Sequence, residues 1–208
     1  VWASGRIRHD GTGERAPWGD AWRRAMAAVR QGGVRRWLLL LELADLLGDM
    51  LAGYVALYLV DVAGASPARA AVGVALWTGS ELVGGAALVP LLKRVPGPRY
   101  LRATAVLALS LYPAFLLTPG LGSKLTLLGA LGLVRAGWYP VLTARLYEEL
   151  PGASGTAMGL SSLAGLVGQT VPLAIGAAAG AFGLGPAMWL LLAAPAALLV
   201  GVPRVATR

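Results

Sequence analysis

The chain has no cysteine and a single histidine, His9. Without cysteine there is no disulfide framework, no thiol nucleophile and no cysteine-based metal site. A lone histidine in a polar segment is far more often solvated than a ligand, and no metal-ligand spacing, Ser/His pair or G-x-S-x-G motif accompanies it. We therefore expect no metal, no cofactor and no enzymatic activity.

Charge is also scarce. Charged residues make up 13% of the chain and hydrophobic residues 57%, with a mean hydropathy of +0.66, whereas a soluble domain carries about a quarter charged residues. The apolar residues come in blocks long enough to cross a bilayer, for which about 20 residues are needed. The sequence therefore predicts an all-α integral membrane protein.

Glycine and proline separate the apolar blocks, and six membrane spans are predicted between these breaks. Residues 1–36 form a basic linker with a short amphipathic helix, residues 37–203 the six-helix bundle, and residues 204–208 a tail. The predicted spans are 37–60, 70–92, 102–118, 124–146, 156–181 and 186–202.

Basic residues concentrate in the linker, in the second joint and after the last span, whereas the opposite side holds Arg69 and Lys124. By the positive-inside rule, both termini lie in the cytoplasm, and the membrane is the inner one. The formal charge of +8 is then a topology signal and a contact for lipid headgroups, and we expect no nucleic-acid partner.

The stretch LELADLLGDM (41–50) places Glu42, Asp45 and Asp49 inside the first span. At 100° per residue, the three carboxylates fall within an arc of about 60° on one helix face. A charge near the bilayer centre costs roughly 2.5–3.5 kcal/mol or more. The stripe is therefore expected to face protein or water, although Glu42 can reach up to the inner interface.

Three further spans carry a strong polar group near the middle. We interpret Asp49, Glu81 and Asp45 as cavity residues that load and release protons, and Arg135 as an anchor for an anion or carboxylate. Alternatively, Asp49 and Arg135 form a buried ion pair that fixes helix register, and Gln169 makes an interhelical hydrogen bond. The residues predicted to contact substrate or counter-ion are Arg135, Gln169, Trp138, Tyr139 and Trp77.

The polar midpoints also suggest an internal repeat, because Asp49 aligns with Arg135 and Glu81 with Gln169. Since three is odd, the second triplet of spans would enter the membrane inverted, giving a 3+3 inverted repeat as in many secondary transporters. Two G-x-x-x-G patterns at the ends of span five predict close helix packing. Their residues are Gly155, Gly159, Gly176 and Gly180.

Residues 147–182, YEELPGASGTAMGLSSLAGLVGQTVPLAIGAAAGAF, resemble the loop and eleventh helix of the major facilitator superfamily. RAGWYPVLTARLYEEL (135–150) is similar to the tenth helix and its cytoplasmic end. The resemblance covers about 37–203 and implies helices seven to twelve, the C-terminal half of such a transporter. In that fold, helices seven, eight, ten and eleven border the cavity.

The loop PLLKRVPGPR (90–99) departs from the gating motif of this superfamily, because Lys93 stands where an aspartate is expected and Pro96 replaces a glycine. Lys93, Arg94 and Arg99 are nevertheless the candidate gating-loop residues. The resemblance also implies a missing N-terminal six-helix half, on the same chain or as a second copy. Because Val1 begins in the style of a linker, we expect a fragment.

The function expected from these features is proton-coupled efflux of a small molecule by alternating access, with protons, a small-molecule substrate and the bilayer as partners. The alternatives are a non-transporting six-helix scaffold or assembly subunit, and a truncated non-functional fragment.

Overall fold

In a computed structural model of the 208-residue chain, residues 23, 26–150, 154–168 and 170–203 are described, and every regular element among them is helical. After a short helical stretch at 26–29, the elements are α1 (Gly32–Asp61), α2 (Pro67–Leu92), α3 (Gly97–Leu117), α4 (Leu121–Arg135), α5 (Trp138–Glu148), α6 (Ser154–Gly168), α7 (Thr170–Phe182), α8 (Leu184–Met188), a 3₁₀ turn (Trp189–Leu192) and α9 (Ala193–Gly201).

Among the described residues, five helical segments are long and apolar enough to cross a membrane: α1, α2, α3, the α4–α5 segment Leu121–Glu148, and Leu184–Gly201. This confirms the prediction of a helical, multi-pass membrane protein. The predicted span 156–181 corresponds to α6 and α7, each too short to cross alone, with residue 169 outside the described residues. A sixth span therefore stays a prediction.

Helix α1 begins at Gly32, about a turn before residue 37, where span one is predicted to start. Nothing after Gly33 breaks a helix, and arginines at 35 and 36 can extend their heads to water from a helix end. Of the predicted amphipathic helix over 17–36, residues 17–22, 24 and 25 lie outside the described residues.

Local signals set the joints that the sequence analysis placed at Gly and Pro. Ser66 caps α2 by accepting a hydrogen bond from the Arg69 backbone N–H at 3.4 Å, and Pro67 opens the helix. Gly64 and Gly183 have φ of 67° and 88°, a left-handed region that glycine occupies without penalty. These turns fix where α1 ends and where α8 begins.

Helix α1 is the centre of the bundle, in contact with α2, α5, α6, α7 and α9. Helix α2 packs mainly on α4, and α3 packs on α4 and α9. The α2–α4 contact is close because Gly84 faces Ala136 and Gly132 faces the Trp77 carbonyl, where an added Cβ would lie 2.6 and 2.8 Å from those groups. The side chain that follows this crossing, Arg135, is therefore held next to α2.

At one end of the bundle, a lysine is buried without a carboxylate. Lys124, 4% exposed, donates to the Tyr58 hydroxyl at 3.1 Å and to the carbonyls of Phe115 and Leu116 at 2.7 and 3.1 Å. Those carbonyls belong to the last turn of α3, where helix oxygens lack partners and carry partial negative charge. The three donors of the ammonium are thus satisfied, and α1, α3 and α4 are joined.

We predict that Lys124→Met lowers the stability of the protein in lipid-free detergent by about 1–3 kcal/mol, because buried carbonyls lose their donor. The midpoint of thermal unfolding measures this. Lys93→Met, at an exposed position, is the control and should shift the midpoint little. Equal midpoints for the two variants would show that the Lys124 contacts do not hold these helices together.

Candidate functional site

The span formed by α4 and α5 is interrupted near its middle. Pro140 in the first turn of α5 has no N–H and crowds the carbonyl four residues earlier, and α4 ends at Arg135 while α5 begins at Trp138. The Tyr100 hydroxyl bridges the break, accepting from the Gly137 N–H at 3.1 Å and donating to the Val134 carbonyl at 3.4 Å. A single side chain of α3 thus stabilises the interruption.

This break leaves Arg135 at the C-terminal end of α4, where the helix dipole favours a cation. Its guanidinium forms an ion pair with Glu81 of α2, and the two side chains are 16% and 26% exposed. The guanidinium carbon lies 5.7 Å from the centroid of the buried Trp77 ring, a distance that permits cation–π attraction. Arg135 Nε is buried and makes no hydrogen bond with the described residues.

On its other side, Arg135 lies against α1 at Gly48. A Cβ at this glycine would overlap the guanidinium, so the absence of a side chain is what admits Arg135. One turn away, Asp45 interacts electrostatically with Arg135 and with its neighbours Glu42 and Asp49. The arginine therefore lies between the carboxylate of α2 and the acid stripe of α1.

The stripe lines a cleft of about 240 Å³ between α1 and the α6–α7 segment. Glu42 and Asp45 are half-buried in it and Asp49 is exposed. The facing wall has no bulky side chain at Gly165 and Gly168, and a Cβ at 168 would lie 2.7 Å from Glu42 Oε2. The acids therefore line an opening between helices, and the expectation that the stripe faces protein or water stays a prediction.

Of the predicted site residues, the structure brings together Asp45, Glu81, Arg135 and Trp77, with Asp49 at the adjoining cleft. Trp138 is elsewhere: it is buried and donates to Thr104 Oγ1 at 3.0 Å in the core. Tyr139 is exposed, and Gln169 lies outside the described residues. The transport roles of all these residues stay predictions.

The remaining predicted residues lie apart from this cluster. Lys93, Arg94 and Arg99 are exposed at the α2–α3 joint. A Cβ at Gly176 would lie 3.2 Å from the Tyr54 hydroxyl, whereas Gly159 and Gly180 have nothing within 4 Å of that position. The surroundings of Gly155 are not among the described parts of the structure. Close packing at this set stays a prediction.

Sequence reasoning missed Gly48 and Tyr100. Gly48 carried a usable signal, since a residue without a side chain lies within the acid stripe on the next turn from Asp45. Tyr100 carried none, because its partners are 34 and 37 positions away along the chain. Among the described residues, no group of three His, Asp or Glu side chains could hold a metal ion.

Comparison with protein-family models, curated proteins and solved structures finds no match to this chain.

We predict that Gly48→Ala destabilises the protein by about 1–3 kcal/mol, because the new methyl group displaces the Arg135 guanidinium from a packed position. Gly53→Ala, on the same helix with nothing within 4 Å of its Cβ position, is the matched control. It should be neutral or slightly stabilising, since alanine favours helix. Thermal unfolding in detergent compares the two, and equal stability would contradict the placement of Arg135 against α1.

Proposed function

We propose that this chain is the C-terminal six-helix half of a proton-coupled secondary transporter of the major facilitator type, which exports a small molecule by alternating access. The observation that carries the proposal is the Glu81–Arg135 pair. It lies near the middle of its two spans, against the acid stripe of a third span and next to a cleft that Asp49 enters. Charges at that depth typically mark substrate or proton pathways.

The charge balance of the cluster favours proton coupling. Arg135 is paired with Glu81, yet Asp45 also interacts with it, and Glu42 and Asp49 are close to Asp45. A single guanidinium cannot neutralise four carboxylates. The surplus negative charge in a low-dielectric region is relieved by binding protons or a cationic substrate, and exchange of one for the other is the elementary step of proton-coupled export.

The size of the cleft favours a shared cavity. Pockets that enclose a drug-sized molecule measure about 300–1,000 Å³, and this cleft measures about 240 Å³. It is therefore suited to be one wall of a larger cavity, with a second six-helix unit as the other wall. Asp49, exposed within a membrane span, also needs water or protein against it.

The helix contacts support the 3+3 inverted repeat. The repeat pairs span one with span four, span two with span five, and span three with span six. Under this exchange, the contact between α2 and α4 corresponds to the contact of α1 with α6 and α7, and both contacts occur. The same exchange turns the α3–α4 contact into the α1–α9 contact, and both of these occur as well. A repeat related by such an exchange would place the cavity at its centre, where the polar residues are.

The charges at the two ends support an inner-membrane orientation with cytoplasmic termini. The end that holds the start of α1 and the α2–α3 joint carries Arg35, Arg36, Lys93, Arg94 and Arg99, all exposed. The other end carries Arg69 and Asp61, which offset each other, and the buried Lys124. The positive-inside rule assigns the basic end to the cytoplasm.

The main alternative is a scaffold without transport, in which the Glu81–Arg135 pair fixes helix register. A buried ion pair can serve this purpose. The alternative predicts a dry cluster, so water access separates the two proposals.

Cysteine labelling tests water access directly, and the chain offers no native cysteine to remove. We expect Leu46→Cys and Asp49→Cys, at the cleft, to react with a membrane-impermeant maleimide in proteoliposomes. Leu107→Cys, on an exposed apolar position of α3, should react far less because it faces lipid. If the cleft cysteines were as unreactive as position 107 from both sides of the membrane, the cavity would be rejected.

Transport is tested with the protein purified from its native membrane through a tag on this chain, so that any second six-helix unit is retained. Reconstituted vesicles should accumulate an amphipathic fluorescent cation, such as ethidium, when a pH gradient is imposed. Asp49→Asn or Glu81→Gln should reduce the response to the gradient about tenfold or more, because the proton-binding carboxylate is lost.

Asp61→Asn, at the exposed end of α1, is the matched control and should transport normally. Full pH-gradient dependence in both Asp49→Asn and Glu81→Gln would remove these residues from proton coupling. A wild-type protein that moves no dye under any gradient would favour the scaffold.

A further inference from the structure

Three cations are exposed where α2 is joined to α3. Lys93 and Arg94 lie in the turn between Leu92 and Gly97, and Arg99 lies in the first turn of α3. Backbone hydrogen bonds of 3.0 Å from Arg94 and Val95 to the Leu91 carbonyl hold the turn. The charged heads are thus displayed from a defined backbone.

The described part of the chain supplies no counter-charge for these three side chains. The sequence has no aspartate or glutamate from residue 82 to 147. Glu148, at the same end of the bundle, is paired with Arg145 at 2.6 Å, and Glu149 accepts from Trp37 Nε1 at 3.2 Å. Within the described part of the chain, the side chains of Lys93, Arg94 and Arg99 make no ion pair or hydrogen bond.

Two other arginines at the same end of the bundle have partners within the protein. Arg102, one turn into α3, donates to the Val202 carbonyl at 3.0 Å and joins α3 to the end of α9. Arg36 lies 5.1 Å from the Trp37 ring centroid. The three joint cations are therefore set apart by having neither an acidic nor an aromatic nor a carbonyl partner among the described residues.

The residues around the joint follow the order expected where a helix leaves the hydrocarbon. Val89, Leu91 and Leu92 are exposed apolar side chains at the end of α2, as expected of a helix turn that still contacts acyl chains. The cations that follow them come at the boundary where lipid phosphates lie, with aliphatic stems suited to reach it.

We propose that Lys93, Arg94 and Arg99 form a docking surface for the phosphate groups of anionic lipids at this face of the membrane. The positive-inside rule accounts for the side on which these residues lie, but not for the absence of an acidic partner among the described residues. Lipid phosphate is the counter-charge that a membrane surface offers to them. This proposal does not depend on transport.

Native mass spectrometry of the detergent-purified protein tests the proposal with phosphatidylglycerol and phosphatidylcholine added separately. Each cation near an anionic surface contributes about fivefold in affinity. We expect the combined variant Lys93→Gln/Arg94→Gln/Arg99→Gln to bind phosphatidylglycerol at least about tenfold more weakly, with phosphatidylcholine binding unchanged. The charge-conserving variant Lys93→Arg/Arg94→Lys/Arg99→Lys should keep the wild-type affinity.

The single variants Arg94→Gln and Arg69→Gln provide the matched comparison, since Arg69 is an exposed arginine at the opposite end. Arg94→Gln should weaken phosphatidylglycerol binding more than Arg69→Gln does. Wild-type affinity in the combined variant, or an equal loss for both lipids, would overturn the proposal.

Discussion

The arrangement of α1, α2 and α4 depends on how a guanidinium is accommodated within a bilayer-spanning segment. Arg135 is tolerated because the helix ends beneath it, because Glu81 pairs with it, and because Trp77 and Gly48 shape the space on either side. Each of these comes from a different element: the break from Pro140, the pair from α2 and the gap from α1. Losing one partner would leave an uncompensated charge, a far larger penalty than losing the whole pair. The positions of α1, α2 and α4 relative to one another are therefore coupled through one side chain.

The protein accommodates its positive charges in three ways that follow the depth of each. Arg135, at mid-span, is paired with a carboxylate. Lys124, at the end of a span, donates hydrogen bonds to helix-terminal carbonyls and to the Tyr58 hydroxyl, none of which carries a formal charge. The cations of the α2–α3 joint, outside the hydrocarbon, have no protein partner among the described residues. The penalty for an unpaired charge falls from the bilayer centre to the headgroups, so unpaired cations are tolerated at the joint, although Arg145 at the same end is paired with Glu148.

Much of the helical layout could be predicted from sequence, because span length and Gly or Pro joints are local properties. The breaks after Asp61 and Leu92 were placed correctly since turn residues signal them directly. The acid stripe was recognised because helical periodicity alone puts Glu42, Asp45 and Asp49 on one face. The partners across helices could not be read in the same way. Pairing of Arg135 with Glu81 rather than with Asp49, and the use of Tyr100 at the α4–α5 break, depend on tertiary packing over 54 and 34 residues of chain.

Helix α2 connects the packing of the bundle to the chemistry proposed for it. It is the least buried of the five long segments, since only 17% of its most apolar stretch is buried, yet it supplies Glu81 to the polar cluster. One side is fixed to α4 through Gly84 and Gly132, while exposed Leu82 and Val83 adjoin the acid on the other side. Helix α2 is therefore packed against α4 and α1, and its remaining surface is exposed. The Glu81–Arg135 ion pair is a second tie between α2 and α4, beside the close contacts at Gly84 and Gly132. Under the proposed proton coupling, this tie is the contact through which the charge of the cluster acts on helix packing.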